Sequence, residues 1–66
     1  MSTTDVTTQE SETDRVVRWR AERLEHAGYD VLTAREIAAR FEIDLHRAIQ
    51  LLENGCSAEI AARILL

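Results

Sequence analysis

The side chains best suited to bind a metal or to act as a nucleophile are His26, His46, Cys56 and Asp44. None has a second ligand at the short spacing typical of zinc sites, so a site would form only if the fold brought them together. Cys56 comes just before Ser57, which can cap a helix, and this predicts a packing role for the thiol. We therefore expect no metal site and no reactive cysteine.

Other features that catalysis requires are missing from the sequence. The two glycines, Gly28 and Gly55, lie too far apart to form a loop that cradles phosphate, and no carboxylate pair marks a cleft. A chain of 66 residues forms one domain at most and has a thin core. The sequence predicts a protein that is not an enzyme and that uses no cofactor.

Charge is distributed unevenly along the chain, which has a formal net charge of −4 and whose basic residues are all arginine. The first arginine is Arg15, and several acidic residues precede it, so the acidity belongs to the N-terminus. Residues 1–14 are half serine and threonine and contain no aromatic residue, a composition too polar to form a packed core. We expect a disordered acidic tail over 1–14 and a helical domain over 15–66.

The cysteine count and the hydropathy pattern favour a cytoplasmic protein. Cys56 is the only cysteine, so no disulfide can form within the chain, as suits a reducing compartment. No apolar run is long enough for a signal peptide or a membrane span. We expect a cytoplasmic location and no membrane partner.

Apolar residues recur at helical spacing from Arg15 to Ala27, which predicts a first helix. Gly28 suits the position after its end, because glycine adopts a left-handed backbone without a steric cost. Arg20 stands within the apolar side of this helix, with Trp19 at its margin. Two explanations are open: Arg20 extends to solvent along apolar surface, or another chain packs on this side of the helix.

A second helix is predicted after a loop over residues 30–33. Thr33 and Glu36 have the spacing of a capping box, and Leu32 with Ile37 has the spacing of a hydrophobic staple. The helix is expected to end near Glu42. Its expected buried residues are Ala34, Ile37, Ala38 and Phe41.

Third and fourth helices are predicted from caps at Asp44 and Ser57, with Asn54 and Gly55 ending the third. No run alternates in the way a strand requires. The fold class is therefore all-α, a small three- to four-helix bundle. The expected buried residues are Leu45, Ala48, Ile49 and Leu52 in the third helix, and Ile60, Ala61, Ile64 and Leu65 in the fourth.

The turn LEHAGYD at 24–30, an alanine-rich second helix and the ending DLHRAIQLLENG at 44–55 follow one another along the chain. In these three pieces the sequence resembles the ubiquitin-associated (UBA-like) three-helix module. In that family the turn and the end of the third helix form a shallow apolar surface for a protein partner. The resemblance does not extend to ubiquitin itself as the partner. It implies a protein-binding surface made of Ala27, Gly28, Tyr29, Leu51 and Leu52.

The segment TAREIAARFEIDLHRAIQLL, residues 33–52, has a cap, an Ile-Ala pair and a three-residue turn that ends in Ile43. In these features it resembles helix-turn-helix DNA-binding domains, which implies a recognition helix beginning at Asp44. Phosphate contacts supply much of the affinity for DNA, and the two helices carry only Arg35, Arg40 and Arg47 against Glu36, Glu42, Asp44 and Glu53, so nucleic acid is the less favoured partner. The residues implied in DNA binding are Arg18, His46, Arg47 and Gln50.

Three functions therefore remain open at the level of sequence. The favoured hypothesis is a small, non-catalytic protein-interaction module whose partner is another protein or a second copy of the chain. The alternatives are a helix-turn-helix DNA-binding protein and an accessory subunit of a larger assembly. Self-association is favoured if the thin core leaves large apolar residues unburied, because exposed apolar area marks interaction surfaces. The candidates are Trp19, Leu51, Leu65 and Leu66.

Overall fold

The computed structural model describes residues 11–66, which form four α-helices and no strand. This confirms the predicted all-α class. Most of the predicted tail, residues 1–10, lies outside the described residues. The helices are α1 (Glu12–Ala27), α2 (Val31–Ala39), α3 (Leu45–Glu53) and α4 (Ala58–Leu65).

The first helix begins at Glu12, earlier than the predicted start at Arg15. Ser11 caps it: the Ser11 Oγ accepts a hydrogen bond of 3.1 Å from the backbone N–H of Asp14. Glu12 and Asp14 lie in the first turn, where the helix dipole favours negative charge. Serine and acidic residues are typical of disordered tails and of helix N-termini alike, which is why composition placed the boundary too late.

The end of α1 is as predicted, at Ala27, with Gly28 following at φ 132°. The Gly28 N–H donates to the carbonyls of Leu24 and Glu25, and the Tyr29 N–H donates to that of Leu24. A Cβ added at Gly28 would lie 3.2 Å from Leu52 Cδ1. Glycine therefore permits both the backbone turn and the close approach of α3.

The second helix is capped by Asp30 rather than by Thr33, so this prediction was wrong. The Asp30 Oδ2 accepts from the Thr33 N–H at 3.3 Å, and hydrogen bonds from the Thr33 side chain and backbone lower the pKa of Asp30. The expected loop over residues 30–33 is largely helix, and Leu32, the expected staple, is 75% exposed. Aspartate and threonine are both good caps, and the short link after α1 allows the earlier one.

The second helix ends at Ala39 instead of Glu42, and the expected burial of Phe41 was also wrong. Arg40 leaves the helical conformation, and the Ile43 N–H donates to the Arg40 carbonyl in the following turn. This turn places Ile43 in the core, at 7% exposure, while Phe41 is 51% exposed.

The predicted caps of the last two helices are confirmed. The Asp44 Oδ1 accepts from the His46 N–H at 3.0 Å, and the Ser57 Oγ accepts from the Ile60 N–H at 3.2 Å. Gly55, at φ 97°, follows the end of α3 as expected. Each cap is a contact within three residues, which the local sequence is sufficient to specify.

The core is small, and Leu24 and Ile37 are its largest fully buried side chains among the described residues. α1 packs mainly against α2, while α3 contacts both α1 and α4. The buried core residues are Ala21, Leu24, Tyr29, Ala34, Ile37, Ala38, Ile43, Ala48 and Ala61.

The fourth helix places Ala61 in this core. Ala61 is buried, and Ala58 and Leu65 pack against the core cluster. Ile60 and Ile64, which were expected to be buried, are 54% and 55% exposed. Apolar residues cover most sides of this helix, so helical spacing did not decide which side would face the core.

Candidate functional site

Tyr29 is not part of any surface, contrary to what the UBA-like resemblance implied. Its side chain is 3% exposed, and its hydroxyl donates a 2.7 Å hydrogen bond to the Ala48 carbonyl. Burial raises the pKa of Tyr29, and the Coulombic effect of the nearby Cys56 raises it further. The ring joins the turn after α1 to α3 inside the core.

The other residues of the implied surface lie near one another, but most of them support packing. Leu51 and Leu52 are half-buried against the core, and Leu52 adjoins Gly28. Ala27 is half-buried and Gly28 is exposed. The turn and the end of α3 therefore form a packed joint in which little apolar area remains for a partner.

Arg20 binds three backbone carbonyls at the joint between α2 and α3. Its Nε donates to the Ala38 carbonyl at 3.1 Å, and one terminal nitrogen donates to the carbonyls of Arg40 at 3.2 Å and Ile43 at 2.8 Å. The guanidinium carbon also lies 5.4 Å from the centre of the Phe41 ring. Neither explanation offered from sequence is needed, because Arg20 finds its partners within its own chain.

An open depression lies between the C-terminal half of α1 and α3. Trp19, at 52% exposure, and Ile49 provide large apolar groups in its lining. The Arg23 guanidinium carbon lies 5.7 Å from the centre of the Trp19 ring, within cation–π range. The whole lining, which we call the α1–α3 depression, consists of Trp19, Glu22, Arg23, Glu25, His26, Ala27 and Ile49.

Sequence reasoning placed Trp19 at the margin of the core but did not join it to Ile49. Residues 19 and 49 are remote in the chain, and Ile49 was assigned to the core of α3. The available signal was the composition of α1, because tryptophan and arginine are the residues most enriched at binding hot spots. Among the other apolar residues named as candidates for exposure, Leu66 is 43% exposed, whereas Leu51 and Leu65 are half-buried.

The residues implied in DNA binding are all exposed: Arg18 lies on α1, and His46, Arg47 and Gln50 lie on α3. Two arginines that could add positive charge near them are engaged elsewhere. Arg20 binds carbonyls, and Arg40 Nη1 lies 3.9 Å from Glu42 Oε2.

The residues considered first for chemistry do not come together. His26 and His46 are exposed, and Cys56 is half-buried against the core, where the position before a cap suggested it would pack. Within residues 11–66, no three histidine, cysteine or acidic side chains are close enough to hold a metal ion. In the same part of the chain, no helix has the length and apolar character needed to span a bilayer.

No protein-family model, curated protein or solved structure matches this chain. The UBA-like and helix-turn-helix resemblances therefore stay expectations from the sequence. What indicates a function is the chemistry of the chain's own surface.

Proposed function

We propose that this chain is a small, non-catalytic protein-interaction module and that the α1–α3 depression is its binding surface. The observation that carries the proposal is the exposure of Trp19, which is 52% accessible in a depression it shares with Ile49. A tryptophan side chain buries a large apolar area when a partner covers it. An exposed tryptophan is therefore a strong candidate for a binding anchor.

Charged groups surround this apolar pair. Arg23 supplies positive charge, His26 supplies an imidazole, and Glu22 and Glu25 supply negative charge. Protein interfaces commonly have an apolar centre and a polar rim that fixes the orientation of the partner. The mixed rim favours a protein partner over DNA, because a phosphate backbone would meet two carboxylates here.

The proposed surface overlaps the one that the UBA-like resemblance implied. Ala27 belongs to both surfaces. The apolar contacts of the proposed surface come from Trp19 and Ile49 and not from Tyr29. The function expected from that resemblance, the binding of a protein, is kept. The residues proposed to perform it lie mainly on the helices instead of the turn.

Affinity capture with matched variants tests this proposal. Tagged wild-type chain, Trp19→Glu and Leu32→Glu are compared, since Leu32 is a more exposed apolar residue that does not line the depression. Circular dichroism first establishes that each variant folds. We expect Leu32→Glu to capture as much protein as wild type does. Trp19→Glu should capture at least about tenfold less, because anchor residues dominate binding energy.

Equal retention of captured protein by the two variants would show that the depression is not the binding surface.

The alternative function is tested on the same samples with mixed-sequence duplex DNA. Binding that weakens steeply as salt rises, and that is lost when Arg18 and Arg47 are both neutralised, would support the helix-turn-helix hypothesis instead.

A further inference from the structure

The fourth helix carries an apolar ridge that no part of the described chain covers. Ile60 and Ile64 are 54% and 55% exposed, and they lie one helical turn apart on the same side. Glu59 and Arg63 are also exposed and one turn apart, so they form a charged row beside the apolar one. We call Ile60 and Ile64 the α4 ridge.

The α1–α3 depression has features complementary to this ridge. Trp19 and Ile49 offer apolar surface to an aliphatic row. Its rim carries both signs of charge, as the row beside the ridge does, so opposite charges can be paired across a contact. Arg63 would face Glu22 or Glu25, and Glu59 would face Arg23.

The net charge of the described chain also allows two copies to approach. Residues 11–66 contain eight arginines and ten acidic residues, the chain's 12 acidic residues less Asp5 and Glu10. A nearly balanced surface produces little repulsion between identical molecules. The arrangement contrasts with a strongly charged domain, which stays apart from its own copies.

We propose, on the basis of the proposed function, that the occupant of the α1–α3 depression is the α4 ridge of a second copy of this chain. A ridge and a depression on one molecule can join two copies in either of two ways. The contact closes into a dimer when both molecules exchange ridges, and it builds larger species when they do not. In either case Trp19 becomes covered as the protein associates.

Trp19 is the only tryptophan in the sequence, so its fluorescence reports directly on the depression. Wild-type protein is diluted over a wide concentration range while mass is followed by sedimentation equilibrium and emission by fluorescence. We expect the mass to rise with concentration and the emission to shift to the blue in parallel. A rise in mass without any shift would exclude the depression as the contact, and a constant monomer mass at millimolar concentration would exclude self-association.

Variants then separate the two halves of the contact. The double variant Ile60→Glu and Ile64→Glu removes the ridge, and Trp19→Glu removes the depression. Each should weaken self-association at least about tenfold, because an apolar centre is replaced by charge. Leu32→Glu is the control: it makes the same kind of change at an exposed position of α2 and should associate as wild type does. Equal loss in this control would contradict the proposal.

Mixing the two defective variants gives the sharpest test. The ridge variant keeps an intact depression and the depression variant keeps an intact ridge, so together they should form a one-to-one complex that neither forms alone. A mixture that stays monomeric would overturn the proposal. If wild type is monomeric but still captures another protein through Trp19, the second-copy assignment fails while the proposed function stands.

Discussion

Trp19 and Arg20 are adjacent in sequence, and yet they serve different parts of the molecule. Trp19 lines an open depression, whereas the guanidinium of Arg20 binds a carbonyl in the turn between α2 and α3. Tyr29 is the buried counterpart of Arg20, since its hydroxyl also binds a carbonyl of a remote helix. The Arg20 guanidinium and the Tyr29 hydroxyl thus find hydrogen-bond partners within the chain, as buried polar groups generally do.

At the same scale we predict that Tyr29→Phe lowers the free energy of unfolding by about 1 kcal/mol, because it removes the hydrogen bond to Ala48. Burial raises the pKa of Tyr29 above its ordinary 10.0. The stabilisation by the neutral phenol is therefore complete below that value and is lost as pH rises through the folded pKa. Wild type should lose stability across this alkaline window more steeply than Tyr29→Phe.

Urea midpoints measured from neutral to strongly alkaline pH check this difference. Both proteins are prepared in a Cys56→Ser background, which removes the Coulombic contribution of Cys56 to the raised pKa of Tyr29. Parallel pH profiles for the two proteins would contradict the assigned environment of Tyr29.

At the scale of elements, the joint between α2 and α3 depends on a residue of α1. The last carbonyls of a helix have no partner within the helix and need one elsewhere. Arg20 supplies donors to the carbonyls of Ala38, in α2, and of Arg40, just after its end, and also to that of Ile43 in the turn. One side chain thus binds both the end of α2 and the turn that leads to α3.

We predict that Arg20→Lys lowers the free energy of unfolding by about 1 to 3 kcal/mol, because a lysine ammonium cannot reproduce the planar set of donors. The loss should be accompanied by faster amide hydrogen exchange at Ile43, whose N–H bonds to Arg40 in the turn. Chemical denaturation and exchange measurements provide the two readouts. Arg35→Lys, at an exposed position of α2, is the matched control and should change neither quantity appreciably.

For the whole molecule, Leu24 and Ile37 are the largest fully buried side chains among the described residues. A domain of this size has a small margin of stability, so the loss of one such side chain is severe. The exposed ridge of α4 contributes little to that margin. Isoleucine therefore stabilises the core at position 37, whereas at positions 60 and 64 it forms part of the surface.

We predict that Ile37→Ala costs about 2 to 5 kcal/mol and leaves most of the chain unfolded at room temperature. Ile64→Ala removes the same atoms from a side chain that is 55% exposed, and it should leave the helical circular dichroism signal and the thermal midpoint of the dilute protein almost unchanged. A similar loss of helix in both variants would mean that α4 is packed differently from the arrangement described.

Local sequence was enough to predict the number of helices and many of their ends. The caps at Asp44 and Ser57, and the ends at Gly28 and Gly55, depend on contacts between residues a few positions apart, or on backbone conformations that glycine adopts readily. Such interactions are present in any short stretch that contains those residues. This is why the all-α class could be inferred before any packing was known.

Tertiary structure decided the choices that local sequence left balanced. Asp30 and Thr33 were both acceptable caps, and the short link after α1 allowed the earlier one; α4 had apolar residues on most sides, so packing against the core selected its buried side. The carbonyls bound by Arg20 and the pairing of Trp19 with Ile49 join residues 18 to 30 positions apart. The sequence determined the helices because helix formation is local, and the fold determined the candidate site because that site is made by residues from different helices.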